Sequence, residues 1–308
     1  MKVLVTGGAG FIGSHIAEEL IRQNYEVVVV DNLVTGKKEN IPNEAPFYFA
    51  DVRGDIDEVF AKEKPHIVIH QAAQVSVSYS MTHPGYDAEE NIRGTINVME
   101  MCVKYNVQKF IFASSAAVYG TPEYLSIDEN HPVSPISFYG LSKQNAEKYI
   151  QMFSDAFGLN YTILRYSNVY GIRQDTKGEA GVVALFIEKA IKGEDIKVFG
   201  DGKQTRDFIF VKDVAAANAA ACMMGNREII NISHYSSTSV MNIIEQLSLI
   251  SGERLPYSLH PERPGDIRDS ILSNSKASQV LKWAPSYNFS QGLKETMNDY
   301  QKDMMQVL

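Results

Sequence analysis

Tyr139 and Lys143 stand four residues apart in Phe138-Tyr139-Gly140-Leu141-Ser142-Lys143, at the head of an apolar-periodic stretch that runs through Ala146, Tyr149, Ile150 and Phe153 to Phe157. On a helix that spacing brings both side chains to one face. An ammonium beside a phenol favours the phenolate, so a group with an ordinary pKa of ~10 is drawn toward neutrality and becomes a candidate general base. The same spacing also falls on many solvated helix faces. The pair gains meaning from what must fold next to it.

Those elements begin with Lys2 to Thr6, a short apolar run followed at once by Gly7-Gly8-Ala9-Gly10-Phe11-Ile12-Gly13 and a helical pattern through Ile16, Leu20 and Ile21. Glycines at 7, 10 and 13 allow a tight turn, close backbone approach to a diphosphate and close helix-strand packing, while the helix start offers N–H groups to the anion. The next strand, Glu26 to Val30, ends in Asp31, where a carboxylate accepts hydrogen bonds from an adenosine ribose. Strand, glycine turn, helix, strand and acid together predict a dinucleotide site. A carboxylate at Asp31 repels a 2′-phosphate and favours NAD over NADP, although Lys37 and Lys38 follow closely.

Phe47 to Phe49 and Ile67 to His70 read as a third and fourth strand, Lys109 to Ala113 as a fifth and Tyr161 to Arg165 as a sixth, with helical stretches between them. This pattern predicts a doubly wound parallel α/β sheet with right-handed crossovers. Gln71-Ala72-Ala73-Gln74-Val75-Ser76 follows the fourth strand with small and polar side chains, at the carboxyl edge where ligands of open sheets bind. A long helix over about Tyr86 to Tyr105 carries Asn91, either a surface amide or a site residue. Ser114-Ser115 leaves the fifth strand on the same edge. Past the sixth strand, Asp175 to Gly181 reads as a polar cover over a substrate. Asp207 to Val211 and Arg227 to Ile232 read as strands around an alanine-rich helix at Val214 to Met223.

Composition narrows the partners. The 308 residues are 44% hydrophobic and carry a formal charge of −8, which argues against a nucleic-acid or anionic-membrane surface and for a small metabolite. Cys102 and Cys222 form no disulfide framework, the seven histidines show no metal-ligand spacing, and no leader or spanning run is evident, so a cytoplasmic protein without metal is expected.

These motifs together resemble the extended short-chain dehydrogenase/reductase family, in its nucleotide-sugar epimerase branch. The likeness is carried by Thr6 to Gly13, Asp31-Asn32-Leu33, Asp51-Val52-Arg53, His70 to Ala73, Ser114-Ser115, Tyr139 with Lys143, Arg165 to Gly171, Gly200 to Phe208 and Arg263-Pro264-Gly265-Asp266. The resemblance implies a Rossmann domain of residues 1–165 plus about 211–232, and a smaller, discontinuous α/β domain of about 166–210 plus 233–308 for the nucleotide sugar. It implies that Ser115, Tyr139 and Lys143 are catalytic. NAD would be met by Gly7, Gly10, Phe11, Ile12, Gly13, Asp31, Asn32, Gly36, Asp51, Val52, Gln71, Ala72, Ala73, Asn91, Tyr139 and Lys143. A UDP-sugar would be met by Ser115, Asn168, Val198, Phe199, Arg206, Arg263, Asp266 and Ser270. Two arginines within Gly/Pro/Asp turns of an acidic chain suit diphosphate recognition on physical grounds as well.

Dehydratases and decarboxylases of this family place an acid just before the Val-Tyr-Gly that follows the serine, whereas this chain has Ala116 and Ala117. The resemblance therefore implies inversion at carbon 4 of a UDP-hexose, glucose to galactose, through a 4-keto intermediate. Ser270 stands where family members with tyrosine exclude an N-acetyl group, so the N-acetyl sugars are expected to fit as well. UDP-N-acetylglucosamine or UDP-glucuronate 4-epimerisation, a dehydratase, and a non-catalytic NAD(P)-binding protein are the alternatives. Val75 replaces a lysine that the best-known members carry near the nicotinamide. A homodimer through the helices around Tyr86 to Tyr105 and Phe138 to Phe157 is expected by the same likeness.

Overall fold

Apolar runs without polar alternation, such as Val27-Val28-Val29-Val30, are satisfied only in a sheet covered on both faces. They form its centre here. The computed structural model describes residues 1–176, 181–262 and 267–307. The first half runs β1 (Lys2–Thr6), α1 (Phe11–Arg22), β2 (Glu26–Asp31), β3 (Phe47–Phe49), α2 (Asp57–Glu63), β4 (Ile67–His70), α3 (Val77–Thr82), α4 (Pro84–Ala88), α5 (Gly94–Lys104), β5 (Lys109–Ser115), α6 (Phe138–Phe157) and β6 (Asn160–Tyr166). The second half adds β7 (Asn168–Tyr170), α7 (Val182–Lys192), β8 (Ile196–Phe199), β9 (Thr205–Arg206), β10 (Phe208–Phe210), α8 (Val211–Ala221), β11 (Glu228–Ile232), β12 (Thr238–Ser239), α9 (Val240–Ser251), β13 (Tyr257–His260), α10 (Ser275–Leu281) and α11 (Phe289–Val307).

Seven strands make one parallel sheet in the order β11-β6-β5-β4-β1-β2-β3, the doubly wound Rossmann arrangement expected. The order reverses beside β1, so the ends of β1 and β4 open a crevice. Thr6 pairs with Val30 on one side and His70 on the other, which sets the glycine turn beside Gln71. Alternate residues face opposite cores: Val3, Val5, Val29, Ile69 and Ile111 meet α1 and α8, while Leu4, Val30, Val68, Phe110 and Phe112 meet α2, α5 and α6. A third core, with Tyr170, Phe186, Ile187, Ile196, Val198, Phe208, Phe210, Ile243 and Leu247, lies among three two-stranded ladders, β7 with β10, β8 with β13 and β9 with β12. Among the described residues no helix is long and apolar enough to cross a membrane.

Two elements differ from the expectation. The helix over Tyr86 to Tyr105 is α4 and α5 joined by a π-helical turn at Glu89–Arg93, because Asn91 turns inward to hydrogen-bond the Gln74 backbone; a one-residue shift of register leaves no trace in apolar periodicity. The strand expected over Asp207 to Val211 is shorter, Phe208–Phe210, because Val211 already opens α8, and it pairs with β7 outside the central sheet.

Candidate active site

Position begins with α6. The Ser137 hydroxyl caps it by accepting the Gly140 amide at 3.1 Å, and Gly158, at φ +74°, ends it. Gly140 must lack a side chain: a Cβ there would lie 2.5 Å from the Ala117 carbonyl, so the helix start is pressed onto the 3-10 turn at Ala116–Val118. Ser115 is the residue before that turn. Its hydroxyl accepts the Ala117 amide at 3.2 Å and also hydrogen-bonds the Tyr139 side chain. The Tyr139 amide donates to Ser80 Oγ at 3.0 Å, tying α6 to α3.

Lys143 is buried on the same face, its Nζ donating to the Ala113 carbonyl at 2.9 Å and standing 4.9 Å from the Phe112 ring centroid and 5.9 Å from that of Tyr139. Ser115, Tyr139 and Lys143 thus come together at the end of β5. The expectation that Lys143 acidifies Tyr139 is corrected for the protein by itself. Burial pushes the phenol up to about 12, the Ser115 hydrogen bond opposes that, and the charge of Asp87 adds to it. Burial also takes Lys143 down to about 8, against the charges of Asp87 and Glu147. Desolvation is the largest influence on both groups.

The glycine turn has the close contacts expected of it. Gly7, at φ +68°, carries no Cβ because one would lie 2.6 Å from the Ala72 amide, and a Cβ at Gly13 would lie 2.1 Å from the Gly7 carbonyl. Gly10, at the start of α1, brings no capping side chain, and the first turn holds no acid. The amides of Phe11, Ile12 and Gly13 therefore begin a helix whose positive end is open to an anion, which fits a diphosphate. Asp31 accepts the Ala9 amide at 3.0 Å and the Leu33 amide at 2.8 Å, leaving lone pairs for a ribose, and Gly36 leaves room beside it. Asn32 donates to Asp51 at 3.1 Å, and the bidentate Arg53 beside Asp51 holds its carboxyl well below the usual range. Val52 is buried behind it, Gln71 donates to the Tyr166 hydroxyl at 3.0 Å, and Ala72 and Ala73 follow at the crevice. Asn91 is buried, not a surface amide, and reaches Gln74, Asp87 and Ser142.

The other end is a cavity of about 490 Å³ lined by Asn168, Val182, Leu185, Phe186, Lys189, Ile196, Lys197, Phe199, Gln204, Arg206, Phe208, Thr238 and Val240. It brings together Asn168, Phe199 and Arg206. Val198 does not join them: strand alternation turns its side chain into the third core, and Lys197 faces the cavity instead. Ser270 does not line it either, although its amide donates to the Thr205 carbonyl beside Arg206. Arg263, Asp266 and the central part of the stretch Asp175 to Gly181 lie outside the described residues. Sequence reading missed Asp87 and the Glu147–Arg165 pair. Each carried a signal, since Asp87 is four residues before Asn91 and Glu147 four after Lys143.

Comparison with known proteins identifies the family. Residues 3–233 match the NAD dependent epimerase/dehydratase family. A putative UDP-glucose 4-epimerase of Methanocaldococcus jannaschii is 48% identical over 96% of this chain and 97% of its own. The crystal structure of a UDP-glucose 4-epimerase with UDP-glucose from Thermotoga maritima superposes with a TM-score of 0.96 at 42% identity, covering 99% of this chain and 100% of that one. A UDP-N-acetylglucosamine 4-epimerase from Methanobrevibacter ruminantium M1, in complex with UDP-N-acetylmuramic acid, gives 0.94 at 34% identity, covering 98% and 99%. The family model spans residues 3–233, three quarters of the sequence, so the chain belongs to the NAD dependent epimerase/dehydratase family and takes NAD as its cofactor.

Proposed function

We propose that the protein is a 4-epimerase that interconverts UDP-glucose and UDP-galactose through a 4-keto intermediate. The observation that carries this reading is the half-buried Tyr139 and the buried Lys143 beside Ser115, followed by Ala116 and Ala117 where an acid for elimination would stand. NAD supplies the acceptor that takes up and returns hydride at carbon 4 and, when oxidised, a positive charge in the site. The amides of Gly10 to Gly13 would hold its diphosphate, Asp31 and Asn32 the adenosine ribose, Asp51 and Val52 the adenine, and Gln71 to Ala73, with Lys143, the other ribose.

Ser115 would hold the hydroxyl on carbon 4, and Tyr139, shifted toward its phenolate by the positive charge that oxidised NAD would bring, would take that hydroxyl's proton as the carbon is oxidised. The same phenol gives the proton back to the oxygen after the ketone has been reduced on its opposite face. With no acid at 116 or 117 to protonate a leaving hydroxyl, turning over and being reduced is the productive course of the ketone. Asn168, Phe199 and Arg206 would anchor the UDP moiety in the distal cavity. Firm remote anchoring and a loose grip on the hexose let binding energy be used without preventing rotation.

Incubation of the protein with UDP-galactose should yield UDP-glucose up to an equilibrium mixture, with UDP-N-acetylgalactosamine and UDP-glucuronate run in parallel. Conversion of none of them by NAD-loaded protein contradicts the reading. A second reading, that N-acetyl sugars are substrates as well, is supported by small Ser270 next to the Thr205–Arg206 strand and by the likeness to a UDP-N-acetylglucosamine 4-epimerase. Ser270→Tyr should then lower turnover of the N-acetyl substrate about tenfold or more while sparing UDP-glucose. The exposed stripe Phe138, Leu141, Tyr149 and Met152 on α6 supports a homodimer through that helix, and the unpaired, buried Cys102 and Cys222 suit a cytoplasmic setting.

A further inference from the structure

An ammonium that is only 3% exposed needs a counter-charge, and Lys143 makes no ion pair among the described residues. Ionisable groups face it from the elements packed around it. Glu147, one turn along α6, is neutralised by Arg165 of β6, whose Nε and Nη2 donate to it at 2.9 and 2.6 Å, and it also accepts the Ser114 hydroxyl at 2.5 Å. His70 of β4 is fully buried and held neutral, its ring between the hydroxyls of Thr6 and Thr95 at 2.7 and 3.1 Å. Tyr139, on the same face of α6, is protonated in the protein by itself, where burial pushes its phenol up.

Asp87 of α4 is different. It is 1% exposed, and among the described residues no lysine, arginine or histidine pairs with it; its Oδ1 accepts the amide groups of Gln74 at 2.7 Å and Asn91 at 3.1 Å. The same Asn91 amide reaches Ser142 Oγ at 3.1 Å, and Ser142, between Tyr139 and Lys143, donates to the Tyr139 carbonyl at 3.0 Å. One side-chain amide therefore separates the carboxylate from the turn of α6 that carries both reacting groups. A buried carboxylate and a buried ammonium, neither with an ion-pair partner among the described residues, thus lie on the two sides of Asn91 and Ser142, and each lowers the cost of burying the other.

We propose that Asp87 is the counter-charge of Lys143, a positioning residue that keeps the ammonium protonated in the closed site and so sets the alkaline limit of the reaction. This rests on Tyr139 and Lys143 being the reacting pair. The charge of Asp87 raises Lys143 against burial and leaves it at about 8, close to the pH at which it must work. Removing that charge disfavours the ammonium and lowers its midpoint.

The test reads Lys143 directly, by NMR of protein labelled with carbon-13 at lysine Cε, with Lys143→Met to assign the resonance and no nucleotide sugar present. The midpoint should lie near 8 in the unmodified protein. In Asp87→Asn it should fall by about one unit or more. Turnover should follow: most of it retained at pH 6.5, and a loss of about tenfold at pH 8.5, as the protonated fraction dictates. A carboxylate that serves packing alone lowers the rate by the same factor at every pH. Asp87→Ser removes the charge with a smaller side chain and should move the midpoint in the same direction, so a poorly folded asparagine variant does not decide the matter. A midpoint that neither substitution moves, or a Lys143 that titrates below pH 6 in the unmodified protein, overturns the assignment. If UDP-galactose is not converted, the proposed reaction fails while the titration still decides the pairing.

Discussion

The cofactor end and the distal cavity hold on by different means. At the first, backbone does the holding: the parallel strands β1 and β4, an uncapped helix start and glycine contacts so close that a Cβ at Gly13 would meet the Gly7 carbonyl at 2.1 Å. At the second, side chains from the short ladders and from α7 line a cavity, Arg206, Lys189 and Lys197 beside the apolar Leu185, Phe186 and Phe208. Backbone cannot yield without moving the sheet, whereas long side chains adapt at little cost. The contrast suits a cofactor that stays through turnover and a sugar nucleotide that enters, turns and leaves.

The largest effect should come from breaking the rigid end. Gly13→Ala forces α1 off the glycine turn and should cost about 3 kcal/mol or more of stability, with loss of bound NAD. Thermal melting and the nucleotide released on denaturation check it; a variant that keeps both its melting temperature and its NAD would show the turn to be adaptable. The adaptable end should respond more gently. Arg206→Ala should raise KM for the UDP-sugar about 30- to 150-fold through loss of a charge-assisted anchor, with NAD content and melting temperature unchanged. Loss of NAD in that variant would erase the distinction between the two ends.

A smaller effect lies in acid. Burial pulls His70 down to about 3, so below pH 6.5 the unfolded chain binds a proton that the folded one does not until about 3. Its contribution to stability is thus complete above pH 6.5 and falls by about 2 kcal/mol between pH 6.5 and 5. Denaturant titrations of the parent and His70→Asn should differ by that slope; parallel pH profiles would remove the claim.

The rigid end was also the more legible in sequence. Glycine spacing and the acid ending β2 are local, and β-branched runs mark a buried parallel sheet, so β1 to β6 were found within a residue or two at most of their ends. The cavity was less so. Val198 was assigned to it although strand alternation sends that side chain to the core and Lys197 to the cavity, because the direction of a four-residue strand depends on which face its neighbours cover. The acidified phenol failed for a related reason: Tyr139 and Lys143 are four apart in sequence, but their desolvation depends on α3, α4 and β5 closing over them. Asp87 was overlooked because its relation to Lys143 runs through Asn91 in a π-helical turn that no periodicity reveals.

The central claim is that Tyr139 moves the proton at a site where NAD is held independently of it. Turnover of UDP-galactose by Tyr139→Phe, compared with the parent at equal NAD content, tests this most directly. Turnover should fall by about 100- to 10,000-fold while NAD content and melting temperature stay the same. Turnover at the parent's rate in the folded, NAD-loaded variant would contradict the account.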